Sequence, residues 1–291
     1  MAKATASPKV DRTIRLQDGR QLAYSEWGAL DGRPVVLFHG APGSRLICPD
    51  EEATEAAGVR LVTVDRPGYG RSDPRPGRSL LDWPADYSEL ADQLDLPPCP
   101  VVGWSAGGKY ALALGFGAPD RVTTIGLAGS PGPRLQVPGA LDELSPEDRA
   151  AVELLALDRD AGMAVISMDC AWYAGDGWET LFAESWGDAD DRLLAQPDVL
   201  DPMKALLREG ARQGAAGFAS DEAIALTPWG FSLADIRQRV VVWVGESDLQ
   251  VGRAHGDYLA ASIPGATLVT FPGAGHLFPI SHWSEMVAAL L

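Results

Sequence analysis

The 291-residue chain is poor in histidine and cysteine and has no long apolar run. Each shortage excludes something. The four histidines (His39, His255, His276, His282) lack ligand spacing and no H-E-x-x-H occurs, so no metal is expected. The three cysteines (Cys48, Cys99, Cys170) are odd in number and widely separated. They outline neither a disulfide framework nor a zinc pattern, which fits a reducing, cytoplasmic setting. The longest apolar runs, 35–38 and 240–244, fall far short of the roughly 20 residues a membrane-spanning helix needs. The opening MAKATASPKV holds no apolar stretch, so neither a secretory signal nor a membrane partner is expected. No G-x-G-x-x-G is present, so no dinucleotide cofactor is implied. Basic residues are outnumbered 24 to 40, for a net charge of −16, so nucleic acid is not expected as a partner.

What is present is organised. Hydrophobic residues make up 46% of the chain, enough for a sizeable core. The charge is segregated: residues 131–235 hold 20 of the acidic and only 7 of the basic residues. That shift in composition marks an inserted element. Two β-like stretches, 13–16 and 21–28, flank Asp18-Gly19, a hairpin signal. Short apolar runs at 34–38 and 59–64 suit strands buried on both faces, and 100–103, 121–128, 239–245 and 266–271 also read as strands. Helical patterns separate them, which predicts an α/β fold with a mostly parallel, doubly wound sheet. Segment 131–235 reads as purely helical, with starts at Ser145-Pro146-Glu147-Asp148 and Asp201-Pro202. Ligands bind at the C-terminal edge of open α/β sheets, so an insertion there is expected to cap a pocket. The expected division is a core of residues 1–130 and 236–291 with a helical cap of 131–235.

The chemical signals sit at strand ends. Gly103-Trp104-Ser105-Ala106-Gly107 is a G-x-S-x-G match. Alone it arises by chance about 0.2 times in such a composition. Its setting between a strand-like and a helix-like run is what a strained nucleophile turn requires. A serine needs a base, and the base an orienting acid. His276, in Gly273-Ala274-Gly275-His276, follows the last strand and is the candidate base. His255 and His282 read as surface or packing residues, and His39 as bonded to local backbone. Gly245-Glu246-Ser247-Asp248 follows the preceding strand; Asp248 is the candidate acid, with Glu246 the alternative. Backbone donors for an oxyanion are expected at Ala106, after the serine, and at Ala41, since Pro42 has no N–H. Residues 103–109 also satisfy G-x-x-x-x-G-K, but Tyr110 stands where a phosphate loop needs Ser or Thr. Lys109 therefore reads as a helix-surface or helix-start residue.

Together HGAPGS (39–44), DRPGYGRSD (65–73), GWSAGG (103–108), VWVGESD (242–248) and PGAGH (272–276) resemble the α/β-hydrolase fold family over nearly the whole chain. The resemblance implies Ser105 as nucleophile, Asp248 as acid, His276 as base, and Ala41 and Ala106 as oxyanion donors, in the order known for that fold. It makes DRPGYGRSD a structural loop beside the pocket, 131–235 the variable cap, and 227–236 the return to the core. Dehalogenase-like and epoxide-hydrolase-like members use aspartate where Ser105 stands. HGAPG is similar to the HGGPG of prolyl aminopeptidases, whose elbow reads GGSWG. The expectation is a cofactor-free serine hydrolase acting on an ester, thioester or lactone of a small to medium, largely apolar molecule. A non-hydrolytic or carbon–carbon-bond-acting enzyme, an aminopeptidase-like member and a ligand-binding protein are the alternatives. Trp104 and Trp172 are the substrate-binding candidates among the aromatics of the elbow and cap. Whether the chain is a monomer or a homodimer is open, and the many acids of the cap read as a solvated face.

Overall fold

The computed structural model describes residues 7–142, 144 and 146–291. The first turn forms as the sequence predicts. Strands β1 (Val10–Arg15) and β2 (Gln21–Gly28) pair antiparallel around Asp18 and Gly19, the glycine at φ +92°. The apolar runs become β3 (Arg33–Phe38), β4 (Val59–Val64), β5 (Cys99–Trp104), β6 (Val122–Ala128), β7 (Arg239–Gly245) and β8 (Thr267–Phe271). They form one eight-stranded sheet of order β1-β2-β4-β3-β5-β6-β7-β8, parallel from β4 through β8.

Alternation along each strand feeds two cores. Val36 and Phe38 pack on one face with Val62, Val64 and Val101, under α2 (Trp83–Gln93) and α3 (Gly107–Gly117). Val35 and Leu37 pack on the other with Val59, Leu61 and Val102, against α1 (Glu51–Ala56) and the closing helix. The chain runs from β3 outward to β4, then crosses back to place β5 on the other side of β3. That reversal opens a crevice at the carboxyl ends of β3 and β5, where Phe38 is level with Gly103.

Between β6 and β7 the described residues contain helices and no strand. These are α4 (Pro146–Leu157), α5 (Arg159–Asp169), α6 (Asp188–Leu194), α7 (Pro197–Gly210) and α8 (Ala216–Ala225). They have a core of their own around Tyr173, Trp178 and Phe218. After β7 come α9 (Arg253–Ser262), β8 and α10 (Phe278–Leu290).

Two helix starts need comment. The expected cap Ser145 lies outside the described residues, and α4 begins at Pro146. Asp201-Pro202 does not open a helix: α7 begins at Pro197, and Pro202 lies inside it. Pro197 offers the same first-turn signal earlier, and its own missing N–H costs nothing there. Pro202 loses one bond to the Asp198 carbonyl, but buried Val199, Leu206 and Leu207 carry one apolar face across it. No described helix is long and apolar enough to cross a membrane.

Candidate active site

The loop after β5 turns directly into α3, and Ser105 occupies the turn with φ +53°. Only Asp95 shares a positive φ among the described non-glycine residues. Such a conformation costs on the order of 1–3 kcal/mol and persists because its surroundings impose it. The Ser105 N–H donates to the Ala128 carbonyl at 2.8 Å, and its carbonyl accepts the Gly108 N–H at 3.0 Å. The turn also packs so closely on β3 that a Cβ on Gly107 would lie 2.2 Å from the Phe38 oxygen. The G-x-S-x-G glycines are thus demanded by close contact.

Asp248 follows β7 by three residues. Its Oδ1 accepts the N–H groups of Gln250 (2.8 Å) and Val251 (2.9 Å), which fixes the carboxylate. Its Oδ2 lies 2.8 Å from His276 Nδ1, with both side chains nearly buried. A carboxylate can only accept, so Nδ1 carries the proton and Nε2 presents a lone pair. Glu246, the alternative acid, accepts the Gly273 N–H at 2.9 Å and shapes the histidine loop instead. Trp104 Nε1 donates to the His276 carbonyl at 3.3 Å. A Cβ on Gly129 would sit 3.2 Å from both Asp248 Oδ2 and His276 Nδ1, so the end of β6 walls this pair.

Ser105 and His276 line one cavity of about 210 Å³, together with Ala41, Trp104 and Ala106. Ala106 immediately precedes α3, where the helix end favours negative charge. Neither the Ala41 nor the Ala106 N–H has an acceptor among the described residues. Gly40 brings the β3 loop against the serine: a Cβ there would lie 3.2 Å from Ser105 Cβ.

That loop is held from behind by Arg66, of the DRPGYGRSD stretch. Fully buried, Arg66 donates to the carbonyls of His39 and Gly40 and pairs with Asp221 of α8 at 2.6 Å. Arg78 and the Tyr110 hydroxyl bond the other Asp221 oxygen. Burial pushes the Asp221 carboxyl up, but Arg66 and Arg78 outweigh it and hold it well below the carboxylate range. His39 Nδ1 donates to the Gly40 carbonyl at 2.6 Å, and burial followed by Arg66 depresses its pKa well below 6.5. It is a neutral structural histidine bonded to local backbone, as the sequence suggests. His255 is buried and accepts the Gly132 N–H; His282 bonds Glu285 and stacks on Phe271.

Two site assignments change. Lys109 is buried, not on the helix surface: its Nζ donates to the Asp221 carbonyl at 3.2 Å and the residue lines the cavity. Burial pulls its pKa down to about 8 against the attraction of Asp221 and Glu222. Trp172 does not line the cavity. It is 40% exposed and packs edge-on against Tyr173 and Phe218. In the 3₁₀ turn of Cys170–Tyr173, Cys170 and Tyr173 take the inward positions and turn Trp172 out. Trp186 and Leu181 stand in the wall instead, with Met203 and Leu206 from α7. Sequence reasoning also missed Arg66, Asp190 and Asp221; only Arg66 carried a signal, through its motif.

The geometry can be set beside known proteins. The model of the alpha/beta hydrolase family matches residues 35–290. The chain belongs to that family. It is 31% identical over 253 residues to a pimeloyl-[acyl-carrier protein] methyl ester esterase of Aromatoleum aromaticum, covering 85% of this chain and 92% of the relative. It is 29% identical over 279 residues to a 2-hydroxy-6-oxononadienedioate/2-hydroxy-6-oxononatrienedioate hydrolase of Pseudomonas putida, covering 91% and 89%. The enol-lactonase structure from Burkholderia xenovorans superposes with a TM-score of 0.68 at 20% identity, over 96% of this chain and 99% of that one. Other curated relatives are matched over only 41, 34 and 38% of their own length.

Proposed function

We propose that this α/β hydrolase is a serine hydrolase cleaving ester-type bonds (ester, thioester or lactone) of small to medium, largely apolar substrates. The observation that carries the reading is the strained Ser105 sharing a cavity with His276, whose Nδ1 is engaged by Asp248 at 2.8 Å. His276 Nε2 takes the Ser105 proton as Oγ attacks the acyl carbon. Asp248 holds the ring and stabilises the imidazolium. The Ala41 and Ala106 N–H groups receive the oxyanion, the alcohol or thiol leaves with the proton from His276, and water then releases the acid. The helical segment between β6 and β7 acts as a cap, supplying the apolar wall of Leu181, Trp186 and Met203.

A fluorophosphonate probe should label the wild-type chain and spare Ser105→Ala. The same variant should lose p-nitrophenyl ester hydrolysis by several orders of magnitude, up to about 10⁶-fold. Near-wild-type turnover by Ser105→Ala refutes the mechanism. A second reading, hydrolysis of a hydroxy-oxo-dienedioate of the kind the Pseudomonas putida relative is named for, is favoured by that relative's 29% identity over 91% of this chain. Product analysis on vinylogous 1,5-diketones against simple esters separates the two.

A further inference from the structure

The acidic segment places two carboxylates at zero exposure, Asp190 and Asp221. Asp221 has its arginines. Asp190, in the first turn of α6, pairs with no lysine or arginine among the described residues. Its Oδ2 accepts the N–H of His276 at 2.7 Å and its Oδ1 that of Leu277 at 2.8 Å. The room for it is made by Gly275, where a Cβ would lie 2.3 Å from Asp190 Oδ1. Burying a carboxylate without a cation is costly, so two charge-assisted bonds at this one place call for a reason.

We infer that Asp190 is a positioning residue for His276, fixing the main chain of the base from the helical segment while Asp248 fixes its ring. The inference rests on the serine-hydrolase reading above. Asp190 belongs to the same short unit as the cavity wall: Asp191 Oδ1 accepts the Trp186 N–H at 2.9 Å, and Trp186 Nε1 donates to the Leu181 carbonyl at 2.6 Å. Trp186 and Leu181 line the cavity. The wall a substrate rests on and the bond that places the base therefore move together. The charged groups around His276 are Asp248 from the β7 loop and Asp190 from α6, with Lys109, Glu222 and Arg134 in the cavity lining. Burial raises the Asp190 carboxyl above the usual carboxylate range, and its amide donors and His276 offset only part of that rise.

The test uses Asp190→Asn in the full chain. Asparagine keeps the volume, removes the charge and turns an N–H₂ toward one of the two amide donors. With four histidines, the His276 ring can be followed by ¹H–¹⁵N NMR and assigned with His276→Gln. The His276 amide and ring resonances should shift, because the main-chain N–H that Asp190 holds loses its charged acceptor. On a p-nitrophenyl ester, kcat should fall roughly tenfold or more while KM changes less than about threefold. A lower melting temperature with the His276 resonances and kcat both unmoved makes Asp190 merely structural and overturns the inference. If Asp190→Asn does not fold, Gly275→Ala displaces the carboxylate without deleting it. Unchanged His276 resonances and kcat in that variant overturn the inference equally. The NMR comparison needs no turnover and can be run in Ser105→Ala. A wild-type chain that neither labels nor cleaves esters thus sinks the hydrolase reading alone, while the NMR shift still decides Asp190.

Discussion

Asp221→Ala is the perturbation whose cost can be worked from the structure. The carboxylate has no exposure and sits 2.6 Å from Arg66, with Arg78 and the Tyr110 hydroxyl on its other oxygen and Tyr69 at 3.2 Å. Truncation leaves two guanidinium groups buried with no counter-charge. Breaking one such pair costs about 3–5 kcal/mol. Water entering the vacated space relieves part of the second loss, so about 4 kcal/mol is expected. That is a large share of the roughly 5–15 kcal/mol that holds a domain together. At roughly 2–4 °C per kcal/mol, the melting temperature should fall by roughly 8–16 °C. Thermal melts at pH 7 measure it. Arg66→Met combined with Asp221→Ala should recover part of the loss, because one stranded cation is gone. Activity should drop as well, since Arg66 anchors the His39 and Gly40 carbonyls beside the Ala41 donor. The pH dependence has a definite sign. The folded-state pKa is depressed, so the pair's contribution is complete above the ordinary carboxylate value of 3.8 and fades as pH falls below it. Asp221→Ala melting within about 2 °C of wild type at pH 7 would refute the reasoning.

Asp248→Asn should leave the fold intact and lower kcat by about 10⁴-fold, because the amide favours the wrong imidazole tautomer; steady-state kinetics beside a melt reads both. Trp186→Ala should raise KM for longer acyl esters by roughly tenfold, whereas Trp172→Ala should leave KM unchanged, and an acyl-chain series distinguishes the cavity wall from the outer face. Lys109→Met tests the buried amine. Its folded-state pKa, about 8, lies below the ordinary 10.5, so the protonated amine is a liability in the folded chain below pH 8. The stability of wild type relative to Lys109→Met should rise between pH 8 and 10.5, and pH-resolved denaturant titrations read the slope. A flat difference contradicts the burial argument.

The strands, the elbow, the histidine loop and the acid loop were legible because each is announced locally. Short apolar runs ending at a glycine, serine, aspartate or histidine mark the carboxyl end of a buried strand. Parallel pairing then gathers those ends along one edge. What escaped depends on contacts between distant positions. Asp190 meets His276 across 86 residues and Asp221 meets Arg66 across 155, and neither aspartate differs in local sequence from its solvated neighbours. Lys109 looks like a helix-start lysine until α8 is laid over it. Trp172 and Trp186 are equivalent by composition, and only the phase of a 3₁₀ turn sends one outward. Pro202 shows the converse: its local signal is clear, and the burial of the residues around it overrides that signal.

The same comparison explains what the acidic excess of residues 131–235 does and does not do. Glu153, Asp158, Asp160, Asp169, Asp176, Glu179 and Glu184 are all exposed, so they set the surface charge and leave the site untouched. The two fully buried aspartates act inward instead, and both meet the core within one loop of the reacting atoms. Asp221 reaches the His39–Gly40 loop beside Ser105 through Arg66, and Asp190 reaches the main chain of His276. A net charge of −16 therefore says little about the field at Ser105, which faces a cavity lined by Lys109, Arg134 and Glu222. Neutralising exposed acids of this segment should alter solubility and leave the ester kinetics alone, whereas removing either buried aspartate should alter the site, because each joins the helical segment to a loop at the strand ends.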